Sequence, residues 1–277
     1  MKTVLITGAS SGIGLQTATR LASMGYKVYG TSRKPNNSKL PFTMLELNVD
    51  DDASVNACLQ RLIAETGGID ILINNAGYDL YGAAEETSDT ELRAQLETNF
   101  FGAIRVCKAL VPQMRERRSG KIIQISSVGG LFALPYNSAY AASKFALEGY
   151  SEALRYELLP FNVFVSLIEP GQVNTETLET SVRLTNDTHP AYRDAPAALV
   201  DQMRLDARTS GLSIETVVRA ITRAVESPKP KLRYAVGGVA QFLPLLKLLL
   251  PGAFEKMIAE RFQTLKSPTL APAKPSP

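Results

Sequence analysis

The sequence predicts an α/β protein built on a doubly wound parallel sheet within a single domain. Short apolar runs rich in β-branched residues recur at 4–7, 27–31, 42–47, 69–73, 121–125 and 163–168. Stretches with helical spacing alternate with them, at 13–24, 51–65, 88–117 and 138–158. The strand-like runs are apolar at successive positions, so both faces of the sheet must be covered, and crossover helices provide that cover.

Taken in order, Val4-Leu5-Ile6 forms the first strand and runs into Thr7-Gly8. This run is far shorter than the apolar core of a signal peptide, so a cytoplasmic protein is expected. Gly25 stops the first helix, because glycine adopts the left-handed conformation that ends helices. Ser88 and Glu91 make a capping box at the start of the long helix. Pro112 is expected to kink or end that helix near its last turn. Arg115, Arg117 and Arg118 fall there and read as a solvated terminus that complements the helix dipole.

No repeat or internal linker divides the chain, so residues 1–266 are read as one domain and the Pro- and Ala-rich segment 267–277 as a disordered tail. The 175–212 connection is longer than an ordinary loop and is expected to act as a mobile lid. Residues 239–250 are very apolar, but Pro244 and Lys247 interrupt them, and a membrane span needs about 20 apolar residues. Phe254, Met257, Ile258, Phe262 and Leu265 share one helical face. For the 239–266 extension, core packing, partner docking and weak membrane-surface contact all stay open.

Composition removes several function classes. With 45% hydrophobic residues the chain can build a full core. A net charge of +3 without a Lys/Arg stripe gives no nucleic-acid footprint. Cys58 and Cys107 are too few for a disulfide framework or a cysteine-based zinc site. His189 is the single histidine, so neither a metal centre nor a Ser–His triad has the material it needs. Beside Pro190 in a polar stretch, His189 reads as a surface-loop residue. Any acid or base must be another side chain.

TGASSGIG at 7–14 puts Gly8, Gly12 and Gly14 between the first strand and the first helix. A glycine turn there lets backbone N–H groups approach a pyrophosphate, and the helix N-terminus adds positive potential. The spacing is G-x-x-x-G-x-G, not the generic G-x-G-x-x-G. At the end of the second strand an acid would accept the ribose hydroxyls of NAD, whereas an arginine accommodates the 2′-phosphate of NADP. Residues 30–34 are Gly-Thr-Ser-Arg-Lys, so Arg33, helped by Ser11 and Lys34, points to NADP(H).

Tyr140 and Lys144 lie four apart on the 138–158 helix, hence on one face. A free phenol with its pKa near 10 is a poor base at neutral pH, and a nearby ammonium is expected to lower that pKa. The pair follows Ser126-Ser127 at the carboxyl end of a strand, where open α/β sheets place ligands.

These residues resemble the short-chain dehydrogenase/reductase family, in its non-extended branch. The resemblance runs from TGASSGIG through NNAG at 74–77, Asn99 with Gly102, the Ser and Tyr–Lys elements, and PGQVNT at 170–175. The stretch 127–149 is similar to the 17β-hydroxysteroid and retinol dehydrogenase members. The resemblance implies a Rossmann-type sheet and a catalytic set of Asn99, Ser127, Tyr140 and Lys144. Tyr140 would exchange a proton with the substrate oxygen and Ser127 would hydrogen-bond that oxygen. Lys144 would hold the nicotinamide ribose, and Asn99 a relay water. Ser127 is preferred to Ser126 because the family places its serine thirteen positions before the tyrosine. The resemblance also implies cofactor contacts from Gly8, Ser10, Ser11, Gly12, Ile13, Gly14 and Arg33, and from Asn48, Val49, Asn75, Ala76 and Gly77. Pro170, Gly171, Val173 and Thr175 would sit beside the nicotinamide and pyrophosphate. Asn48 replaces the family's usual Asp, and its carbonyl can still accept the adenine amino group.

The expected activity is hydride exchange between NADP(H) and a small-molecule ketone/alcohol pair. The run 130–136, with Tyr78, Leu80 and Tyr81, offers apolar surface for a bulky substrate. An epimerase or dehydratase using the same Tyr–Lys pair, or a non-catalytic dinucleotide sensor, are the alternatives. The resemblance also implies a homodimer or homotetramer joined through the 88–117 and 138–158 helices.

Overall fold

The structure, a computed structural model, describes residues 1–35, 39–174, 182–186, 189–192 and 194–263. The chain begins β1 (Thr3–Ile6), α1 (Gly12–Ser23), β2 (Lys27–Ser32), β3 (Thr43–Glu46), α2 (Asp52–Thr66) and β4 (Ile71–Asn74). It continues with β5 (Asp79–Tyr81), α3 (Asp89–Leu96), a π-helical turn (Glu97–Phe101), α4 (Gly102–Glu116), β6 (Gly120–Ile125), α5 (Ser138–Leu158) and β7 (Val163–Pro170). The last part holds β8 (Val173–Asn174), β9 (Val182–Leu184), α6 (Ala195–Ser210), β10 (Leu212–Ser213), α7 (Ile214–Glu226), β11 (Arg233–Val236), α8 (Gly238–Leu249) and α9 (Pro251–Gln263).

Seven strands form one parallel sheet in the order β11-β7-β6-β4-β1-β2-β3. Every residue of β1 and β4 is buried, as a sheet covered on both faces requires. The period of two divides them: Leu5 and Leu72 pack under α2, α4 and α5 with Leu59, Leu110 and Leu154. Val4, Ile6, Ile71 and Ile73 face the other way, onto Leu21 of α1 and Val217 and Ile221 of α7. Truncating one such residue, Leu72 for example, costs about 2–5 kcal/mol. The chain turns opposite ways after β1 and β4, which opens a crevice at their carboxyl ends.

Gly25 takes φ +86° after α1, and its N–H bonds the Ala22 carbonyl. The Ser88–Glu91 capping box is formed on both sides. Pro112 lies inside α4, one turn before the helix ends at Glu116. The irregularity falls earlier, at the π-turn 97–101. The arginines at the end of α4 are more than solvated: Arg117 pairs with Asp70, and Arg118 donates to the Pro160 carbonyl at 2.7 Å.

The 175–212 segment differs from a structureless loop. Its described part contains β9, parallel to β5, and the sixteen-residue helix α6. Leu199 and Val200 of α6 cluster with Tyr81 and Phe262, which joins β5, α6 and α9 into a roof over the crevice. The apolar extension also divides. Phe254 and Phe262 of α9 are buried, whereas Ala240 is the one buried residue of α8, whose Leu248 is 76% exposed. Leu265 lies outside the described residues. Among the described residues no helix is long and apolar enough to cross a membrane.

Candidate active site

The crevice is a cavity of about 1250 Å³ running from the glycine turn to the roof helices. At one end, Gly8 has φ +65°, and a Cβ there would lie 2.8 Å from the Ala76 Cα. A Cβ on Gly14 would meet the Gly8 carbonyl oxygen at 2.3 Å. Asn75 holds this turn: its side-chain amide donates to the Thr7 and Gly8 carbonyls at 3.0 and 2.9 Å. The Thr7 hydroxyl in turn accepts the Asn75 and Ala76 N–H groups at 2.9 and 3.0 Å. Thr7 is therefore a site residue that sequence reasoning left unassigned.

Ser11 caps α1 without a side-chain hydrogen bond, and the first turn carries no acid. The positive end of α1 thus opens on the cavity, which Gly8, Ser10, Ser11 and Ile13 line. Gly12, at φ +53°, and Gly14 shape the turn from behind. Arg33, Asn48, Val49, Asn75, Ala76, Gly77, Pro170, Gly171 and Val173 also line the cavity; Thr175 lies outside the described residues. The Asn48 Oδ1 accepts the Asp50 N–H at 3.3 Å and keeps a second lone pair. A glycine turn that only hydrogen can fit, open to a helix N-terminus, suits the pyrophosphate of a dinucleotide.

Further along, Ser127, Tyr140 and Lys144 meet on one wall. Gly129 packs on the tyrosine ring, where a Cβ would lie 2.9 Å from Cε1. Lys144 Nζ donates to the Ile125 carbonyl at 2.8 Å and stands 5.6 Å from the Tyr140 ring centre. Its burial pulls the ammonium down to about 8, with Asp79 and Glu148 opposing. The Tyr140 phenol departs from the sequence expectation. Burial pushes it well above the ordinary phenol value, Asp79 adds to the rise, and the Ser127 hydrogen bond alone works the other way. Desolvation of a phenolate outweighs the hydrogen bond that favours it.

Asn99 sits in the π-turn, 2% exposed. Its side chain grips the Tyr78 backbone from both ends, accepting the N–H at 3.0 Å and donating to the carbonyl at 2.9 Å. The fully buried Gln95, one turn earlier, donates to the same carbonyl at 2.9 Å and accepts the Leu80 N–H at 2.8 Å. Gln95 and Asn99 at i and i+4 share a helix face, a spacing from which this clamp could have been read. It places Asp79 in the cavity, an acid that the sequence reading passed over within Tyr78-Asp79-Leu80-Tyr81.

The expected apolar wall is only partly there. Phe132, Leu134, Tyr78 and Tyr81 line the cavity, while Leu80 points to the opposite face of β5. The rest comes from α6, α8 and α9, through Leu199, Met203, Phe242, Leu243, Ile258 and Phe262. His189 is exposed and away from the cavity. Among the described residues no group of metal-ligating side chains is assembled.

Fold and site together define a nicotinamide-dependent oxidoreductase. The short chain dehydrogenase family matches residues 2–185, and the chain belongs to that family. It is 42% identical over 241 residues to 3-ketodihydrosphingosine reductase of Bacteroides thetaiotaomicron, covering 87% of this chain and 89% of that protein. It is 39% identical to human retinol dehydrogenase 8 (84% of this chain, 80% of the relative). With human 17-beta-hydroxysteroid dehydrogenase type 1 the identity is 38% (89% and 80%). Among solved structures, a short-chain dehydrogenase from Streptomyces avermitilis superposes with a TM-score of 0.81 at 33% identity, covering 95% of this chain and 97% of that one. ElxO with NADP bound gives 0.66 at 27%, covering 79% and 89%.

Proposed function

We propose that the chain is an NADP(H)-dependent carbonyl reductase or alcohol dehydrogenase acting on a bulky, apolar ketone/secondary-alcohol pair. The observation that carries this reading is the meeting of Ser127, Tyr140 and Lys144 on one wall of a cavity whose far end is the glycine turn. The bound nicotinamide supplies or accepts the hydride. Gly8, Ser10, Ser11 and Ile13 would hold the pyrophosphate, and Lys144, whose ammonium has donors left beyond Ile125, the ribose. The chain's own side chains handle the proton. The Tyr140 hydroxyl gives it to the substrate oxygen in reduction and recovers it in oxidation, with the Ser127 hydroxyl hydrogen-bonded to that oxygen. Asn99 acts from behind, by holding the strand that faces them.

Support for a bulky, apolar substrate is the aliphatic and aromatic wall from α6, α8 and α9. The names of the relatives agree with it: a ketodihydrosphingosine, retinol, a hydroxysteroid. Helix α6 covers the cavity and would help exclude water from hydride transfer. A series of ketones of increasing chain length or ring number, each with NADPH and NADH, tests the reading. Efficiency should rise with apolar size; short hydroxyketones outperforming every bulky ketone would overturn it.

NADP(H) preference is supported by Arg33 on the cavity wall and by the absence of an acid at 30–34. Arg33→Ala should weaken NADPH binding by roughly 1.5–3 kcal/mol, about 10- to 150-fold, and barely change NADH binding. Fluorescence titration with each cofactor measures this, and a wild type that uses NADH equally well refutes it. A dimer or tetramer through the 88–117 and 138–158 helices is supported by Phe101 and Tyr156, 47% and 59% exposed there. Free Cys58 and Cys107 agree with a cytoplasmic setting.

A further inference from the structure

The residue that the apolar account leaves over is Asp79. It opens β5, where Asp79 and Tyr81 share the face turned to the cavity and Leu80 takes the buried one. The backbone around it is fixed by Gln95 and Asn99 on one side and by the pairing of β5 with β9 on the other. This carboxylate is therefore held in place, not carried on a free loop.

Among the described residues it makes no hydrogen bond and no ion pair. Other acids of the cavity wall are engaged: Asp206 with Arg261 at 2.9 Å, Glu97 with Arg105 at 2.7 Å, and Asp50 with the Thr98 hydroxyl at 3.1 Å. Asp79 feels the Lys144 ammonium, but Lys144 Nζ is directed at the Ile125 carbonyl. Burial drives the Asp79 carboxyl up to about 6, and the field of its charge in turn raises the Tyr81 and Tyr140 phenols. At neutral pH it is still mostly ionised. A half-buried charge without a partner costs the fold stability, and the usual resolution is a partner brought by a ligand.

We propose that Asp79 determines substrate specificity by pairing with a cationic amino group next to the carbonyl, so that the preferred substrates are amino ketones and amino alcohols with a long apolar tail. This rests on the reading that Ser127 and Tyr140 bind the carbonyl oxygen. The ammonium then lies toward β5, between Asp79 and Tyr81, and the tail runs along Leu199, Met203, Phe242 and Ile258. A neutral hydroxyl in the same place gains a weaker hydrogen bond, since charge-assisted bonds are about twice as strong as neutral ones.

Three ketones of equal chain length, bearing an ammonium, a hydroxyl or hydrogen on the carbon beside the carbonyl, test the proposal with NADPH. The wild type should favour the ammonium compound at least tenfold in kcat/KM over both others, chiefly through KM. In Asp79→Asn that ratio should fall to near one while the melting temperature at pH 7–8 rises, because an unpaired charge has gone. The wild type also gives a test that needs no variant. A long-chain primary amine should inhibit reduction of the plain ketone at least tenfold more strongly than the alcohol of equal length. A ratio near one in the wild type, a ratio unchanged in Asp79→Asn, or equal inhibition by amine and alcohol overturns the assignment to Asp79 alone. Absence of turnover for all three ketones with either cofactor removes the carbonyl site itself, and this assignment with it.

Discussion

Tyr140→Phe should lower kcat by roughly 10²–10⁴-fold, the usual contribution of a positioned acid or base, while NADPH still binds. The variant loses one oxygen and keeps the ring, which Gly129 and the Lys144 ammonium hold from two sides. Loss of activity with an unchanged melting curve therefore assigns the proton to the hydroxyl, not to the packing. The pH dependence has a definite sign. Because burial raises the Tyr140 phenol, it stays protonated through the neutral range, so reduction has its proton at every pH below that raised value. Oxidation needs the phenolate and should climb with pH, without levelling off below the ordinary phenol range. Stopped-flow rates in both directions, with cofactor affinity by fluorescence, make the measurement. A Phe variant keeping a tenth of the activity would move the acid/base role elsewhere.

The second large effect is expected at the other end of the cavity. In Gly14→Ala the new methyl would sit 2.3 Å from the Gly8 carbonyl oxygen and 2.5 Å from Asn75 Nδ2. Neither neighbour can give way: one is backbone in a left-handed turn, the other is the clamp that holds that turn. The turn must open, at about 1–3 kcal/mol for the overpacking and about 0.5–1.5 kcal/mol for each clamp hydrogen bond lost. Cofactor affinity and melting temperature should fall together. Gly149→Ala is the control. It lies exposed in α5 with nothing within 4 Å of the added carbon, so it should stabilise by about 0.5–1 kcal/mol and leave cofactor binding alone. Equal behaviour of the two variants would show that the turn is not sterically closed.

Legibility of the fold followed the strength of local signals. Six sheet strands announced themselves because each is a short apolar run between helical segments. The seventh, β11, reads Arg-Tyr-Ala-Val on the edge of the sheet, with one residue buried, and carries no comparable signal. Helix α6 was hidden because a long polar connection looks like a loop until its few apolar positions find Tyr81 and Phe262. The glycine turn and the Tyr140–Lys144 pair were readable because their chemistry is local in sequence. The Gln95–Asn99 clamp, the Thr7–Asn75 staple and the placement of Asp79 join segments 15 to 69 residues apart, and only the folded chain brings them together. The direction of the Tyr140 shift departs from what the Tyr–Lys spacing predicts for the same reason, since burial is a property of the assembled site and not of a spacing.

The strand order has a consequence for how the molecule is made. Once β2 and β3 lie on one side of β1, β4 docks on its other side, and each further strand of the central sheet then docks beside the one added before it, through β6 and β7 to β11. A nascent chain can therefore extend its sheet in the direction of synthesis, without inserting a late strand between early ones. From β4 onward the growing edge is the one that the next strand will cover, and a helix from the intervening crossover shields one face as it emerges. Release before residue 233 would leave the carboxyl half of β7, from Leu167 to Pro170, as an open edge, the kind of surface on which unfinished chains pair with one another.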